Sequence, residues 1–173
     1  MPFTPIHLGF AVFIYSIFIF MDPIALILGT ILIDLEPIVH LLFNVGHLHG
    51  KFHSFLGVIV LIVPISVISW ACHKLLKLDR FIKKFNWTFS ILSSFLGLIS
   101  HLFFDTIIYP EMMLLYPFSK KTSILYGLWS QNINLWILVG MFCAGAVILT
   151  FRIVLKQYYR KAEPENREVE EEK

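Results

Sequence analysis

Five long stretches of the chain are almost entirely apolar, and short polar segments separate them. They cover residues 6–20, 24–43, 55–72, 89–109 and 133–155. A membrane-spanning helix needs about 20 predominantly apolar residues, and the last four stretches reach or approach that length. The first is shorter, so we expect it to cross a thinned membrane or to be re-entrant. The pattern predicts an all-α fold, a polytopic membrane helical bundle of about five transmembrane helices with a short first one.

The composition supports a membrane protein and argues against a nucleic-acid partner. Hydrophobic residues make up 57% of the chain and charged residues 15%, and the mean hydropathy is +0.76. A net charge of +2 is too small to indicate nucleic-acid binding, so the expected partner is the lipid bilayer. Residues 157–173 are charged and lack apolar periodicity, which predicts a disordered tail after a membrane-embedded domain of residues 1–156.

The basic residues predict the orientation of the bundle in the membrane. Nine lysines and arginines lie in two segments, residues 73–86 and 152–161, which fall on the same side if five helices span. The loops on the other side contain only Lys51, Lys120 and Lys121. Because cytoplasmic loops are enriched in these residues, we expect a cell-membrane protein with its N-terminus outside and its C-terminus in the cytoplasm.

Several imidazoles and carboxylates lie in or beside the apolar stretches, where such groups are costly and usually functional. The predicted topology brings most of them to one depth, near the outer leaflet. His101 and Asp105 are four residues apart and therefore share a helix face. Pro37 disfavours helical geometry at Glu36 and kinks the helix near Asp34, and a broken helix at this depth needs polar surroundings. The groups at this depth are His7, Asp34, Glu36, His40, His49, His53, His101 and Asp105.

Imidazole and carboxylate groups together are typical ligands of Zn²⁺, Mn²⁺ or Fe²⁺. No cysteine lies near the group, which argues against a structural thiolate site. A catalytic metal lowers the pKa of a bound water toward about 7, and one to three ions can be bound if some ligands bridge. Lone histidines such as His47 and His73 are more typical of helix-to-helix hydrogen bonds. The sequence leaves the roles of His40 and Glu111 open, and Glu36 is either a base or a residue that orients a ligand.

Four short motifs follow one another in the order found in a known family. They are "TPIH", "GTILIDLEP", "HGKFHSFLG" and "GLISHLFFDTIIYP", and they lie within residues 1–118. They resemble the motifs of the membrane-bound metal-dependent hydrolases, a family distantly similar to zinc-dependent phospholipase C and P1 nuclease. The resemblance implies five metal ligands, with His49 as a further candidate: His7, Asp34, His53, His101 and Asp105.

The chain departs from the family pattern at two places. Many members have a second aspartate and a histidine where this chain has Glu36 and Pro37. Many also have one more residue between the two histidines that correspond to His49 and His53.

These features predict a zinc-type, metal-dependent hydrolase in the membrane. We expect it to cleave phosphoesters of a lipid or lipid-linked substrate at the extracytoplasmic side. Asp34 and Glu36 are the expected catalytic carboxylates, and Lys51 is expected to assist phosphate binding. The alternatives are a non-enzymatic metal transporter or sensor, a bis-histidine haem protein, and a structural membrane protein with a satisfied polar core. The sequence does not predict an oligomeric state.

Overall fold

The computed structural model describes residues 4–43, 51–119 and 125–171, and this part of the chain is helical without any strand. Three short 3₁₀ segments accompany the α-helices, at Thr4–His7, Leu32–Asp34 and Leu78–Arg80. The prediction of an all-α helical bundle is confirmed. The helices are α1 (Leu8–Ile17), α2 (Pro23–Ile31), α3 (Leu35–Phe43), α4 (Phe55–Leu75), α5 (Trp87–Ile108) and α6 (Gln131–Glu171).

Four helical stretches are long and apolar enough to cross a membrane. They are Pro23–His40, Phe55–Leu75, Trp87–Ile108 and Gln131–Tyr159. Helix α1 has only 10 residues, about 15 Å at 1.5 Å per residue, which is half of a hydrocarbon core of about 30 Å. The expectation of a short first helix is therefore confirmed.

The second span is interrupted at the position where the sequence predicts a kink. Helix α2 ends at Ile31, a 3₁₀ turn covers Leu32–Asp34, and α3 starts at Leu35. Pro37 is the third residue of α3, within the first turn, where its missing N–H and its ring are tolerated. The interruption places the Asp34 carboxylate at the junction between two helices rather than on a regular helix face.

Side-chain caps fix where the long helices begin. Asp22 caps α2 by accepting hydrogen bonds from the backbone N–H groups of Ile24 and Ala25. Ser54 Oγ accepts from the N–H of Gly57, 3.2 Å away, and starts α4 as the sequence predicts. His53 directly precedes this cap, so the start of α4 also sets the position of that imidazole.

Helix α5 packs against α2 and α4, and α1 packs against α6. Two glycines allow α2 and α5 to approach closely. A Cβ on Gly97 would lie 2.5 Å from the carbonyl oxygen of Leu26, and one on Gly29 would lie 2.8 Å from that of Ser94. Small residues at such crossings are typical of helix pairs in membranes. This contact brings the backbone of α2 beside the polar residues of α5.

Helix α6 includes residues 157–171, where the composition predicts a disordered tail. This segment contains five glutamates and two arginines, which have high helix propensity, although it also contains Pro164. It also continues a helix that is already formed, so no new nucleation is needed. The structure therefore differs from the expected disorder in its backbone, and the proposed domain boundary at residue 156 stays a prediction.

Candidate metal centre

His101 and Asp105 lie on one face of α5 and are both buried. The Nε2 atom of His101 is 3.1 Å from Oδ2 of Asp105. The same Nε2 is 3.1 Å from Oδ1 of Asp34, which lies at the break between α2 and α3. The predicted pairing of His101 with Asp105 is confirmed, and the interrupted span supplies a second carboxylate to the same nitrogen.

The backbone of α2 fixes the orientation of the His101 ring. Nδ1 of His101 is 2.8 Å from the carbonyl oxygen of Thr30. Because a carbonyl oxygen only accepts, Nδ1 must be the donor, and Nε2 is turned toward the carboxylates. This arrangement is typical of metal-ligating histidines, whose other ring nitrogen donates to a carbonyl or a carboxylate.

His53 is held in the same manner from the start of α4. Its Nδ1 is 3.2 Å from Oε2 of Glu36, and its Nε2 is 3.6 Å from Oδ1 of Asp34. Glu36 also accepts a hydrogen bond from the backbone N–H of Phe52, 3.0 Å away. Burial opposes a charged imidazole, yet the hydrogen bonds to Asp34 and Glu36 outweigh it and raise the pKa of His53. The two carboxylates therefore stabilise positive charge at this position, which either a protonated ring or a bound metal ion would supply.

Four side chains together form a group that could hold a metal ion. One ligand atom from each of Asp34, His53, His101 and Asp105 lies within 4.8 Å of the other three. The two imidazoles are fully buried, whereas the Asp34 side chain is 14% exposed. Two nitrogens and two carboxylate oxygens match the donor set and ligand number of zinc sites. The donors and their spacing thus fit a divalent ion, and the group is open on the Asp34 side.

His7 borders this group on the Asp105 side. It ends the 3₁₀ turn before α1, and its Nε2 is 3.2 Å from Oδ1 of Asp105. The His7 ring stacks on the His101 ring with 4.0 Å between centroids. Burial, followed by the neighbouring His101 charge, lowers the pKa of His7. A lowered pKa favours the neutral imidazole, which is the form that binds metals.

The structure brings most of the predicted site residues to one end of the bundle. His7, Asp34, His53, His101 and Asp105 lie together, with Glu36 behind His53. Lys51 is exposed, and its Nζ lies 5.9 Å from the ring centroid of Tyr116. The remaining candidates His47 and His49, and also Lys120 and Lys121, lie outside the described residues.

A second polar cluster lies at the opposite end of α4, where His73 and Asp22 are buried and the Asp79 side chain is 46% exposed. Nδ1 of His73 is 2.7 Å from Oδ1 of Asp79, and its Nε2 is 3.4 Å from Oδ1 of Asp22. Ser69 Oγ donates to Oδ2 of Asp22 over 2.6 Å. His73 thus contacts two carboxylates, one at the N-cap of α2 and one in the 3₁₀ turn Leu78–Arg80, rather than a residue within another α-helix. Sequence reasoning missed Asp22 and Asp79, although an aspartate before Pro23 is a recognisable N-cap signal.

Comparison of the chain with protein-family models, with curated proteins and with solved structures finds no match. The likeness of the four motifs to the membrane-bound metal-dependent hydrolases therefore stays a prediction.

Proposed function

We propose that this protein is an integral-membrane, metal-dependent hydrolase that cleaves phosphoesters of a lipid or lipid-linked substrate. One observation carries the proposal. Two buried imidazoles are each fixed at Nδ1 by an acceptor, the Thr30 carbonyl for His101 and the Glu36 carboxylate for His53. Both turn Nε2 toward Asp34, 3.1 and 3.6 Å away. A set of ligands already oriented in this way favours metal binding over a simple packing role.

Asp34, His53, His101 and Asp105 would hold the ion, with His7 available to a second ion through Asp105. A bound Zn²⁺ supplies a Lewis acid that polarises a phosphoryl oxygen and lowers the pKa of a water to about 7. The absence of cysteine from this group agrees with the nitrogen and oxygen donors of hydrolytic centres rather than with structural thiolate sites.

The remaining roles follow from exposure and contacts. Asp34 is the most exposed member of the four, so water and substrate reach the group beside its carboxylate. The Asp34 carboxylate oxygen that does not bind the ion can accept a proton from the attacking water. Glu36 acts as a positioning residue because it contacts Nδ1 of His53 rather than the open side. Lys51 is exposed two residues before His53, where its ammonium can neutralise an anionic phosphate.

The position of the centre favours a lipid or lipid-linked substrate. His53 precedes the span that starts at Phe55, and Asp105 lies one turn before the end of the span Trp87–Ile108. Residues at the ends of spans lie close to the level of lipid headgroups. The uneven distribution of lysine and arginine supports placement of this end at the extracytoplasmic face.

Hydrolysis is tested on the purified protein with two phosphate monoesters, phosphatidic acid in mixed micelles and water-soluble p-nitrophenyl phosphate. We expect phosphate release that needs added Zn²⁺ or Mn²⁺ and falls by at least about 100-fold in Asp34→Asn. Asp79→Asn, at the far end of the bundle, is the matched control and should retain the wild-type rate. Fully metallated wild type that releases phosphate from neither ester would contradict the proposal.

Metal transport is the second candidate, and buried serines favour it. Ser66, Ser90 and Ser94 are buried between the two ends of the bundle, and the hydroxyls of Ser66 and Ser94 are 3.0 Å apart. By position along α4 and α5, they lie between the level of His101 and the cluster around His73. Zinc uptake into proteoliposomes that is lost in both His53→Ala and Ser66→Ala, without phosphate release, would favour transport over hydrolysis.

A further inference from the structure

An apolar groove lies directly beside the candidate metal centre. It has a volume of about 360 Å³, at the low end of the range of about 300 to 1,000 Å³ that is typical of ligand sites. One wall is the face of α3 on which Leu35 and Val39 lie four residues apart. The other wall comes from Phe52, just before α4, and from Leu61 in α4. The walls include the apolar residues Leu32, Leu35, Val39, Phe52 and Leu61 and two polar residues, Glu36 and His40.

The groove opens to the surface of the bundle. Its lining residues other than Phe52 belong to the spans Pro23–His40 and Phe55–Leu75. The side chains of Leu35 and Val39 are 51% and 48% exposed, and that of Phe52 is 44% exposed. The wall from Leu32 in the 3₁₀ turn to Val39 in α3 contains eight residues, and its seven steps cover about 10 Å at 1.5 Å per residue. An apolar channel of this length that opens toward the bilayer is suited to an extended hydrocarbon chain.

One polar side chain joins the groove to the metal centre. Glu36 lies in the groove wall, and its Oε2 is 3.2 Å from Nδ1 of His53. The opposite nitrogen of that ring is 3.6 Å from Asp34, the exposed member of the metal-ligating group. A lipid whose hydrocarbon chain lies in the groove can therefore place its polar end beside Glu36, next to the proposed metal centre.

We propose that this groove binds one hydrocarbon chain of a phosphate-bearing lipid and thereby directs the phosphate to the group formed by Asp34, His53, His101 and Asp105. The inference rests on the proposed function, and it adds a chain-binding element that selects lipid phosphates over soluble ones. The apolar walls bind the chain, while a divalent ion held by the four side chains, together with the exposed Lys51 ammonium, would match the negative headgroup. Charge and apolarity thus lie in the same order as in the lipid.

Photo-crosslinking tests the location of the chain without requiring catalysis. The probe is phosphatidic acid with a diazirine in its acyl chain, mixed with the purified full-length protein. We expect labelled peptides to be concentrated on residues 32–40 and around Leu61, and an excess of plain phosphatidic acid to reduce this labelling. Even labelling of all lipid-facing helices would identify bulk lipid and overturn the proposal. Absent labelling of both walls would show that the acyl chain does not bind in the groove, which overturns the proposal as well.

Kinetics test whether the groove selects the substrate. Val39→Trp fills the groove, and Val67→Trp is the matched control because Val67 is 43% exposed on α4 and does not line the groove. In Val39→Trp, the KM for phosphatidic acid relative to p-nitrophenyl phosphate should rise about tenfold, the loss expected if roughly two methylene groups are no longer buried. Val67→Trp should leave this ratio unchanged.

The two proposals fail in different ways. If wild type hydrolyses both esters and Val39→Trp leaves the KM ratio unchanged, the groove does not bind the substrate chain, while the hydrolase proposal stands. If wild type hydrolyses neither ester, the hydrolase proposal fails, and the crosslinking pattern alone then decides whether a phosphate-bearing lipid occupies the groove.

Discussion

At the scale of single residues, the candidate centre depends on how each imidazole is oriented. Thr30 and Glu36 occupy Nδ1 of His101 and His53, so both rings present the same nitrogen to Asp34. The spacing of four residues identifies His101 and Asp105 as a pair from the sequence alone. The Thr30 carbonyl cannot be identified in this way, because every residue has a backbone carbonyl and the residue type does not show which one accepts a hydrogen bond.

Removal of the Glu36 carboxylate should weaken metal binding. Glu36→Ala leaves Nδ1 of His53 without its carboxylate partner, and loss of such partners typically lowers metal affinity by about 10- to 100-fold. Glu36→Gln keeps an acceptor oxygen and should recover part of the affinity. Zinc titration with a competing chelator measures the effect, with Asp79→Asn as the control. Wild-type affinity in Glu36→Ala would show that Glu36 does not position His53.

At the scale of secondary-structure elements, the interrupted second span and the α2–α5 contact position the site. The interruption is predictable, because Pro37 and Asp34 are visible in the sequence of an apolar stretch. The register of α2 on α5 is not predictable in the same way. The register depends on the close packing of Gly29 against Gly97. A glycine in the sequence does not indicate which helix will pack against it.

A methyl group at this contact should destabilise the bundle. In Gly97→Ala the new Cβ meets the backbone of Leu26 and Gly29, and such overpacking costs about 1–3 kcal/mol. Gly140→Ala is the matched control in α6, since a Cβ there has nothing within 4 Å. Unfolding of the detergent-solubilised variants measures the difference. Equal stability of Gly97→Ala and wild type would contradict the close packing.

The contact between His73 and Asp79 ties the loop after α4 to the bundle, and it should respond to acid. The hydrogen bond from His73 lowers the pKa of Asp79 below its ordinary value of 3.8. Since the folded pKa is the lower one, the stabilisation is present above 3.8 and is lost as the pH falls below it.

Wild type should therefore melt at a higher temperature than Asp79→Asn at pH 7, and the two should converge below pH 3.8. Thermal unfolding in detergent across this pH range provides the check. A melting-temperature difference that persists at the acidic end would mean that ionised Asp79 is not its cause.

At the scale of the whole molecule, two polar clusters occupy opposite ends of α4, about 30 Å apart for its 21 residues. One contains the candidate ligands, and the other contains Asp22, His73 and Asp79. The agreement of predicted depth with observed proximity comes from topology, because antiparallel spans bring distant residues to one level. The side of the membrane at which each end lies is predicted only from the positions of the lysines and arginines.

Surface labelling tests this orientation. In a background with Cys72→Ser and Cys143→Ser, single cysteines are introduced as Lys51→Cys and Lys84→Cys, both at exposed positions. The positive-inside rule predicts that an impermeant maleimide added to intact cells labels only the first, and that the second reacts after lysis. The reverse pattern would place the candidate centre at the cytoplasmic face.

The central claim is that Asp34, His53, His101 and Asp105 bind a metal. It is tested most directly by elemental analysis of the purified protein loaded with Zn²⁺, Mn²⁺ or Fe²⁺. We predict at least one bound ion per chain in wild type and in Asp79→Asn, and loss of that ion in His101→Ala with the fold retained. Wild type without bound metal under all three loading conditions, or His101→Ala with full metal content, would contradict the account.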